Sequence, residues 1–178
     1  NEAETRKHLI DGSLAEAGWE NLRPGLDLES PVQGMPLTTD NPKGNGFADY
    51  VLWDDQHKPL AIIEAKRAGK APDAGRNQAF LYANCLEQMH GQRPIIFYTN
   101  GFETYLWDDR FYAAPRRVYG FLSKGELSYK IQQRQERQDI RLLNADKEIA
   151  GRHYQNQAIK QVAEDWMQKV PEGLKGTG

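Results

Sequence analysis

The sequence predicts an α/β domain: a mixed β-sheet flanked by helices and followed by a helical connector. Two apolar runs, Phe47–Trp53 and Leu60–Lys66, are separated by the polar stretch Asp54-Asp55-Gln56-His57-Lys58-Pro59 and read as a hairpin. A helix is expected from Gly75 to Met89, where Ala79, Tyr82, Ala83, Leu86 and Met89 share one face. The strand-like run Ile95–Thr99 follows at once. Strand, helix and strand in that order make a parallel crossover, which is right-handed as a rule.

The remaining elements follow in chain order. Between Glu4 and Trp19, Leu9, Ile10, Leu14 and Ala17 recur at helical spacing, and Gly18 is placed to end the helix. From Arg23 to Gly46, Pro, Gly, Asn and Asp dominate, so loop is expected there with at most one weakly marked edge strand. Asn100-Gly101 favours a tight hairpin turn from Ile95–Thr99 into a strand over Phe102–Trp107. Beyond Ser128 the chain turns to Gln, Arg, Glu and Lys, with Ile131, Ile140, Leu142 and Leu143 as its apolar anchors. A last helix is expected over Tyr154–Lys169. The division expected is therefore a domain over 1–128, a helical connector over 129–150 and the start of another unit over 151–178.

Composition narrows the class. The 178 residues, 39% hydrophobic and 27% charged, suit one soluble globular domain with appended material. No apolar stretch is long enough to span a membrane, so no membrane partner is expected. Asn1–Lys7 runs into a charged helical pattern without the apolar centre of a signal peptide. The single cysteine, Cys85, excludes an internal disulfide and a cysteine-rich zinc site and reads as a small core residue. The expected compartment is the cytoplasm. A net charge of -2 gives no overall basic footprint, so affinity for DNA has to come from a local patch or from partner modules.

The hairpin carries the chemistry. With its six-residue link centred between Gln56 and His57, Trp53 faces Leu60, Val51 faces Ile62 and Asp49 faces Glu64, all on one side of the sheet, with Lys66 two residues beyond Glu64. Opposed carboxylates among Val, Ile, Leu and Trp repel and are costly unless a cation joins them. A hard divalent ion such as Mg²⁺ fits, because it binds through one or two carboxylates together with waters and substrate phosphate. Such an ion polarises a phosphodiester and acidifies bound water, while Lys66 is placed to orient that water or to offset developing charge. The alternative is a surface hairpin with ordinary charges. Glu-x-Lys alone is a weak signal, but here the apolar run Leu60-Ala61-Ile62-Ile63 leads straight into Glu64 with a second acid at hairpin distance.

Gly46-Phe47-Ala48-Asp49-Tyr50 followed by Ile62-Ile63-Glu64-Ala65-Lys66 resembles the PD-(D/E)XK nuclease signature, with Ala48 in place of the signature's proline. The resemblance implies a restriction-endonuclease-like fold, metal ligation by Asp49, Glu64 and the carbonyl of Ala65, and a catalytic Lys66. Mn²⁺ is expected to substitute for Mg²⁺. Glu2 or Glu4 matches the family's additional helix acid. Gln78 and Tyr82, four apart on the helix after the catalytic strand, match a Gln-x-x-x-Tyr motif that supports the active site or nearby DNA in similar nucleases. Read alone, the pair is a core tyrosine with a glutamine at its rim.

Several stretches resemble the motor subunits of type I restriction enzymes in particular: Glu4-Thr5-Arg6 through Asp11, Ala17-Gly18-Trp19, and Tyr98-Thr99-Asn100-Gly101-Phe102-Glu103-Thr104-Tyr105-Leu106-Trp107. Arg152–Ile159 resembles the entry to their helicase-like motor, where an equivalent of Gln155 contacts adenine; the plain reading is an amphipathic helix start. Gly173–Gly178 has phosphate-loop glycine spacing without the Lys-Ser/Thr pair. The resemblance thus implies a fragment: a nuclease domain that cuts double-stranded DNA, joined to a truncated motor. ATP use and translocation belong to the intact subunit, and site recognition and methylation to the specificity and modification subunits.

The aromatics Trp53, Phe97, Tyr98, Tyr105 and Trp107 alternate along strands and read as packing residues. Arg67, Lys70 and Arg76 flank the catalytic strand, either to meet phosphate or as a solvated basic rim. His8, His57, His90 and His153 lack metal-ligand spacing. Besides a restriction nuclease, an exonuclease or junction resolvase, or a non-catalytic docking module for DNA or partner subunits, is open to this fold. An intact Asp, Glu and Lys set argues against the docking module.

Overall fold

The computed structural model describes residues 2–66 and 71–136, with the helical backbone alone at residues 2–7 and 135–136. Six strands form one sheet in the order β1 to β6: Leu28–Gln33, Asn45–Trp53, Pro59–Ala65, Ile95–Thr99, Thr104–Trp107 and Arg116–Val118. β3 and β4 are parallel and every other neighbouring pair is antiparallel, so the sheet is mixed as expected. Helix α2, Arg76–His90, makes the crossover between the parallel pair. A short 3-10 turn over Pro72–Gly75 precedes it.

The sheet is covered on both sides, which is why β3 and β4 are buried along their whole length and read as continuous apolar runs. On one side, Ile10 and Leu14 of α1, Glu2–Glu16, and Leu127 and Ile131 of α3, Lys124–Glu136, pack on Tyr50, Leu52, Ile63, Phe97 and Leu106. On the other, Ala79, Tyr82, Ala83, Cys85 and Leu86 of α2 pack on Val51, Trp53, Ile62 and Ile96. Each fully buried Ile, Leu or Phe contributes about 1.5–3 kcal/mol.

Several expectations need correction. Leu9, counted with the apolar stripe of α1, is 40% exposed, because only Ile10 and Leu14 point at the sheet. The weak edge strand is real: β1 pairs with β2 through Ser30↔Ala48 and Val32↔Gly46, and as an edge it tolerates Pro31. The turn after β4 is longer than the tight one expected, since Thr99 pairs with Thr104 and Asn100–Glu103 form the loop. Asn100 closes that loop by accepting the N–H groups of Phe102 and Glu103 at 3.0 and 2.9 Å. Strand β6 was not expected; its three residues carry two arginines and no apolar alternation. Helix α3 begins before residue 128 and continues past it, and its buried Leu127 and Ile131 belong to the core of the domain. The connector beyond 136 and the unit expected over 151–178, Gln155 included, lie outside the described residues. No helix among the described residues is long and apolar enough to cross a membrane.

Cys85 is 2% exposed, and burial pushes its thiol pKa up. A thiol reagent is expected to modify the folded protein at least about 10³-fold more slowly than the denatured chain, with modification tracking global unfolding. Rapid reaction under native conditions, followed by absorbance of the released thiolate, would contradict this packing.

Candidate active site

The hairpin that carries the candidate acids keeps the expected register over most of its length. Tyr50 pairs with Ile63, Val51 with Ile62 and Leu52 with Ala61. The ladder is irregular between Leu52 and Trp53, so Trp53 pairs with Pro59 instead of Leu60. A bulge of this kind switches faces: Trp53 packs toward α2 and Leu60 toward α1 and α3, against the expectation that they share one side.

At the other end of the hairpin the last ladder pair is Tyr50 and Ile63, so Asp49 and Glu64 do not meet as a ladder pair. The Asp49 carboxylate instead reaches across the strands, and its Oδ2 accepts the N–H of Ala65 at 2.7 Å. Asp49 is therefore fastened to the residue that adjoins Glu64. Glu64 is 3% exposed although it is ionisable, and Lys66 Nζ donates to its Oε1 at 2.7 Å. The same ammonium donates to Gln78 Oε1 at 2.6 Å, and Gln78 Nε2 donates to the Tyr82 hydroxyl at 2.9 Å. One chain of hydrogen bonds thus runs Glu64, Lys66, Gln78, Tyr82, from strand β3 to the buried face of α2. Positions four apart on a helix lie over one another, which lets Gln78 and Tyr82 join.

Two glycines give this arrangement its room, and neither is evident from the sequence. A Cβ on Gly75 would lie 3.3 Å from Glu64 Cγ and from Lys66 Cγ and Cε, so the turn before α2 lies directly against the acid and the lysine. A Cβ on Gly46 would lie 2.6 Å from Tyr82 Cε1. Gly46→Ala is expected to displace the Tyr82 ring and to destabilise the fold by about 1–3 kcal/mol. Gly12→Ala, on α1 with nothing within 4 Å of the added carbon, is the control and should be neutral or slightly stabilising. Thermal melts of both variants check this; equal behaviour would contradict it.

The Asp49 and Glu64 carboxylates are oxygen donors of the kind that suits a hard divalent ion. Among the described residues no three His, Cys, Asp or Glu side chains form a group that could hold a metal ion. An ion that keeps most of its waters needs only the pair. The helix acids Glu2 and Glu4 fall on α1, but their side chains lie outside the described part. Arg67 and Lys70 also lie outside the described residues. Asp73, which no sequence signal singled out, accepts a 3.0 Å hydrogen bond from the Tyr98 hydroxyl. Tyr98 is the β4 partner of Glu64, and burial, reinforced by that bond, pushes its pKa up so that it stays protonated.

A mixed sheet covered by helices on both faces, with Asp49 within β2 beside Glu64 and Lys66 at the end of β3, defines an α/β domain of restriction-endonuclease-like architecture. A solved fragment described as an HsdR subunit of a type I restriction enzyme from Vibrio vulnificus YJ016 shares the fold, with a TM-score of 0.58 and 23% identity over 95% of this chain and 33% of that one. The endonuclease subunit of the type I restriction enzyme EcoKI from Escherichia coli strain K12 is 32% identical over 94 residues, covering 47% of this chain and 8% of that subunit. Residues 37–114 match the family of the type I restriction enzyme R protein N terminus. The segment 37–114 is thus similar to the N terminus of type I restriction enzyme R proteins, and the fold is that of the Vibrio vulnificus fragment. The chain spans a small part of the length of these relatives.

Proposed function

We propose that this domain is the Mg²⁺-dependent nuclease of its subunit and hydrolyses phosphodiester bonds of double-stranded DNA. The observation that carries the reading is the convergence of a nearly buried Glu64, the strand-crossing Asp49 and Lys66 on the end of one hairpin, with Lys66 held by Gln78. Burying a carboxylate beside a second acid costs stability, and a folded domain has no structural need for it. Asp49, Glu64 and the Ala65 carbonyl would hold the ion, with Mn²⁺ as a substitute. When bound, it supplies Lewis-acid polarisation of the scissile phosphate. Lys66 then orients the attacking water or offsets charge on the phosphoryl oxygens. Gln78 fixes where the ammonium sits, and Tyr82 fixes Gln78.

Other elements of this reading belong to the intact subunit. ATP hydrolysis, with Gln155 near the adenine, and assembly with modification and specificity subunits supply DNA to this domain. The cytoplasm is the compartment in which such a complex acts. The test is plasmid cleavage by the assembled full-length enzyme with ATP and Mg²⁺, wild type against Asp49→Ala. Loss of cleavage with ATPase activity retained supports the reading. Cleavage at the wild-type rate would discard it and favour a docking module for DNA or partner subunits.

A further inference from the structure

Two arginines stand at opposite ends of one aromatic stack on the α2 side of the sheet. Trp107 of β5 and Phe80 of α2 stack at 5.6 Å with 26° between their planes. The guanidinium of Arg93 lies over Phe80 at 5.0 Å, and that of Arg76 lies over Trp107 at 4.6 Å. Their electrostatic situations differ. The Arg93 side chain is 6% exposed and is neutralised by Asp109 at 2.5 Å and Glu87 at 3.0 Å, with Asn84 taking a further N–H. It is a core residue. Arg76 is only partly buried, and among the described residues it makes no ion pair.

The position of Arg76 ties it to the site. It directly follows Gly75, whose Cα lies against Glu64 and Lys66. Trp107 is the β5 partner of Ile96 in β4, which in turn pairs with Ile62 in β3, so Ile62, Ile96 and Trp107 form a row across three strands. By strand alternation that row shares its face with Glu64, two residues beyond Ile62. Neighbouring strands are about 4.8 Å apart, so the indole is two strands, or roughly 10 Å, from the line of Glu64. An arginine held flat on an indole keeps its outer N–H edge in one plane and loses little entropy when it takes an oxyanion in a fork. A cation left without an acid partner beside a phosphodiester-hydrolysing centre has a phosphate as its natural counterion.

We infer that Arg76, set on Trp107, is a clamp for a DNA backbone phosphate beside the one to be cut. This rests on the nuclease reading for its setting but acts through binding alone. Its role is to position the duplex over Glu64 and Lys66 and not to take part in bond breaking. The contact is sequence-independent, as backbone contacts are.

The experiment is fluorescence anisotropy of a labelled duplex oligonucleotide with the whole 178-residue chain at low salt and without divalent metal. Variants are Arg76→Ala, Arg76→Lys and, as control, Arg116→Ala, which removes an exposed arginine facing the opposite side of the sheet beside Leu106. Arg76→Ala is expected to weaken binding about five- to tenfold and to lower the slope of log affinity against log salt by about one. Arg76→Lys should keep the slope and lose part of the affinity, and Arg116→Ala should bind as wild type. The clamp is overturned if Arg76→Ala binds like wild type, if Arg116→Ala loses as much, or if the wild-type chain binds no duplex. Binding that falls with Arg76→Ala in a protein that takes up no metal supports the clamp and removes the nuclease reading. Metal uptake with binding unmoved by Arg76→Ala does the reverse.

Discussion

Replacing Lys66 by alanine is expected to abolish most DNA cleavage, by about 10²–10³-fold, and to destabilise the domain by about 2–3 kcal/mol. Both effects come from the same ammonium. On the proposed function it is the ammonium bonded to Glu64, there to offset charge that develops during phosphodiester hydrolysis. In the fold it joins Glu64, whose side chain is 3% exposed, to Gln78, while its own side chain is 22% exposed. Removing it takes the ammonium away from a nearly dry carboxylate and leaves the Gln78 oxygen without that donor. The partial exposure of Lys66 admits water, which holds the penalty to the lower end of what a buried pair costs. Arginine should restore much of the stability but little of the rate, because a planar guanidinium cannot reproduce a point charge between two oxygens. Urea denaturation and single-turnover cleavage measure the two effects separately; a Lys66→Ala variant that cuts at the wild-type rate would remove lysine from the mechanism.

Arg93→Met is expected to be the most destabilising single exchange outside the apolar core, at about 3–5 kcal/mol. Arg93 bonds Asp109 through both Nε and Nη2, and also Asn84 and Glu87, while its own backbone carbonyl accepts from Arg134 of α3. Arg134 in turn pairs with Asp108, which is 1% exposed, at 2.8 Å. The network joins α2, the start of β4, the end of β5 and α3. With methionine in its place, Asp109, whose side chain is 9% exposed, loses the guanidinium that bonds both its oxygens. At roughly 3 °C per kcal/mol for a domain of this size, the melting temperature should fall by about 10–15 °C, read by circular dichroism. A shift under about 3 °C would mean that the four elements are held by apolar contacts alone.

What was legible in the sequence depended on whether one segment contained the whole signal. Strands β2, β3 and β4 and helix α2 were legible because each buries a full side, so its apolar period appears undiluted between Phe47 and Thr99. The spacing of Asp49, Glu64, Lys66, Gln78 and Tyr82 was also local enough to bring them together on paper, and the structure does join Lys66 to Glu64 and Gln78. Features that need two distant segments were not legible. The bulge that sends Trp53 and Leu60 to opposite faces depends on how the hairpin closes, which a centred register cannot foresee. Edge strand β6 has only Val118 to mark it, since an edge buries little. Gly46 and Gly75 became informative only when Tyr82, Glu64 and Lys66 were seen against them. Arg93 and Arg76 differ in nothing that the sequence displays; only their neighbours separate a neutralised core arginine from one that makes no ion pair among the described residues.

The central claim is that Asp49 and Glu64 form one site for a divalent ion. The most direct test is calorimetric titration of Mg²⁺, and separately Mn²⁺, into the purified chain, wild type against Asp49→Ala and Glu64→Ala. The account predicts metal binding by the wild type that is lost in both variants, each remaining folded. Binding left unchanged by either substitution would contradict it.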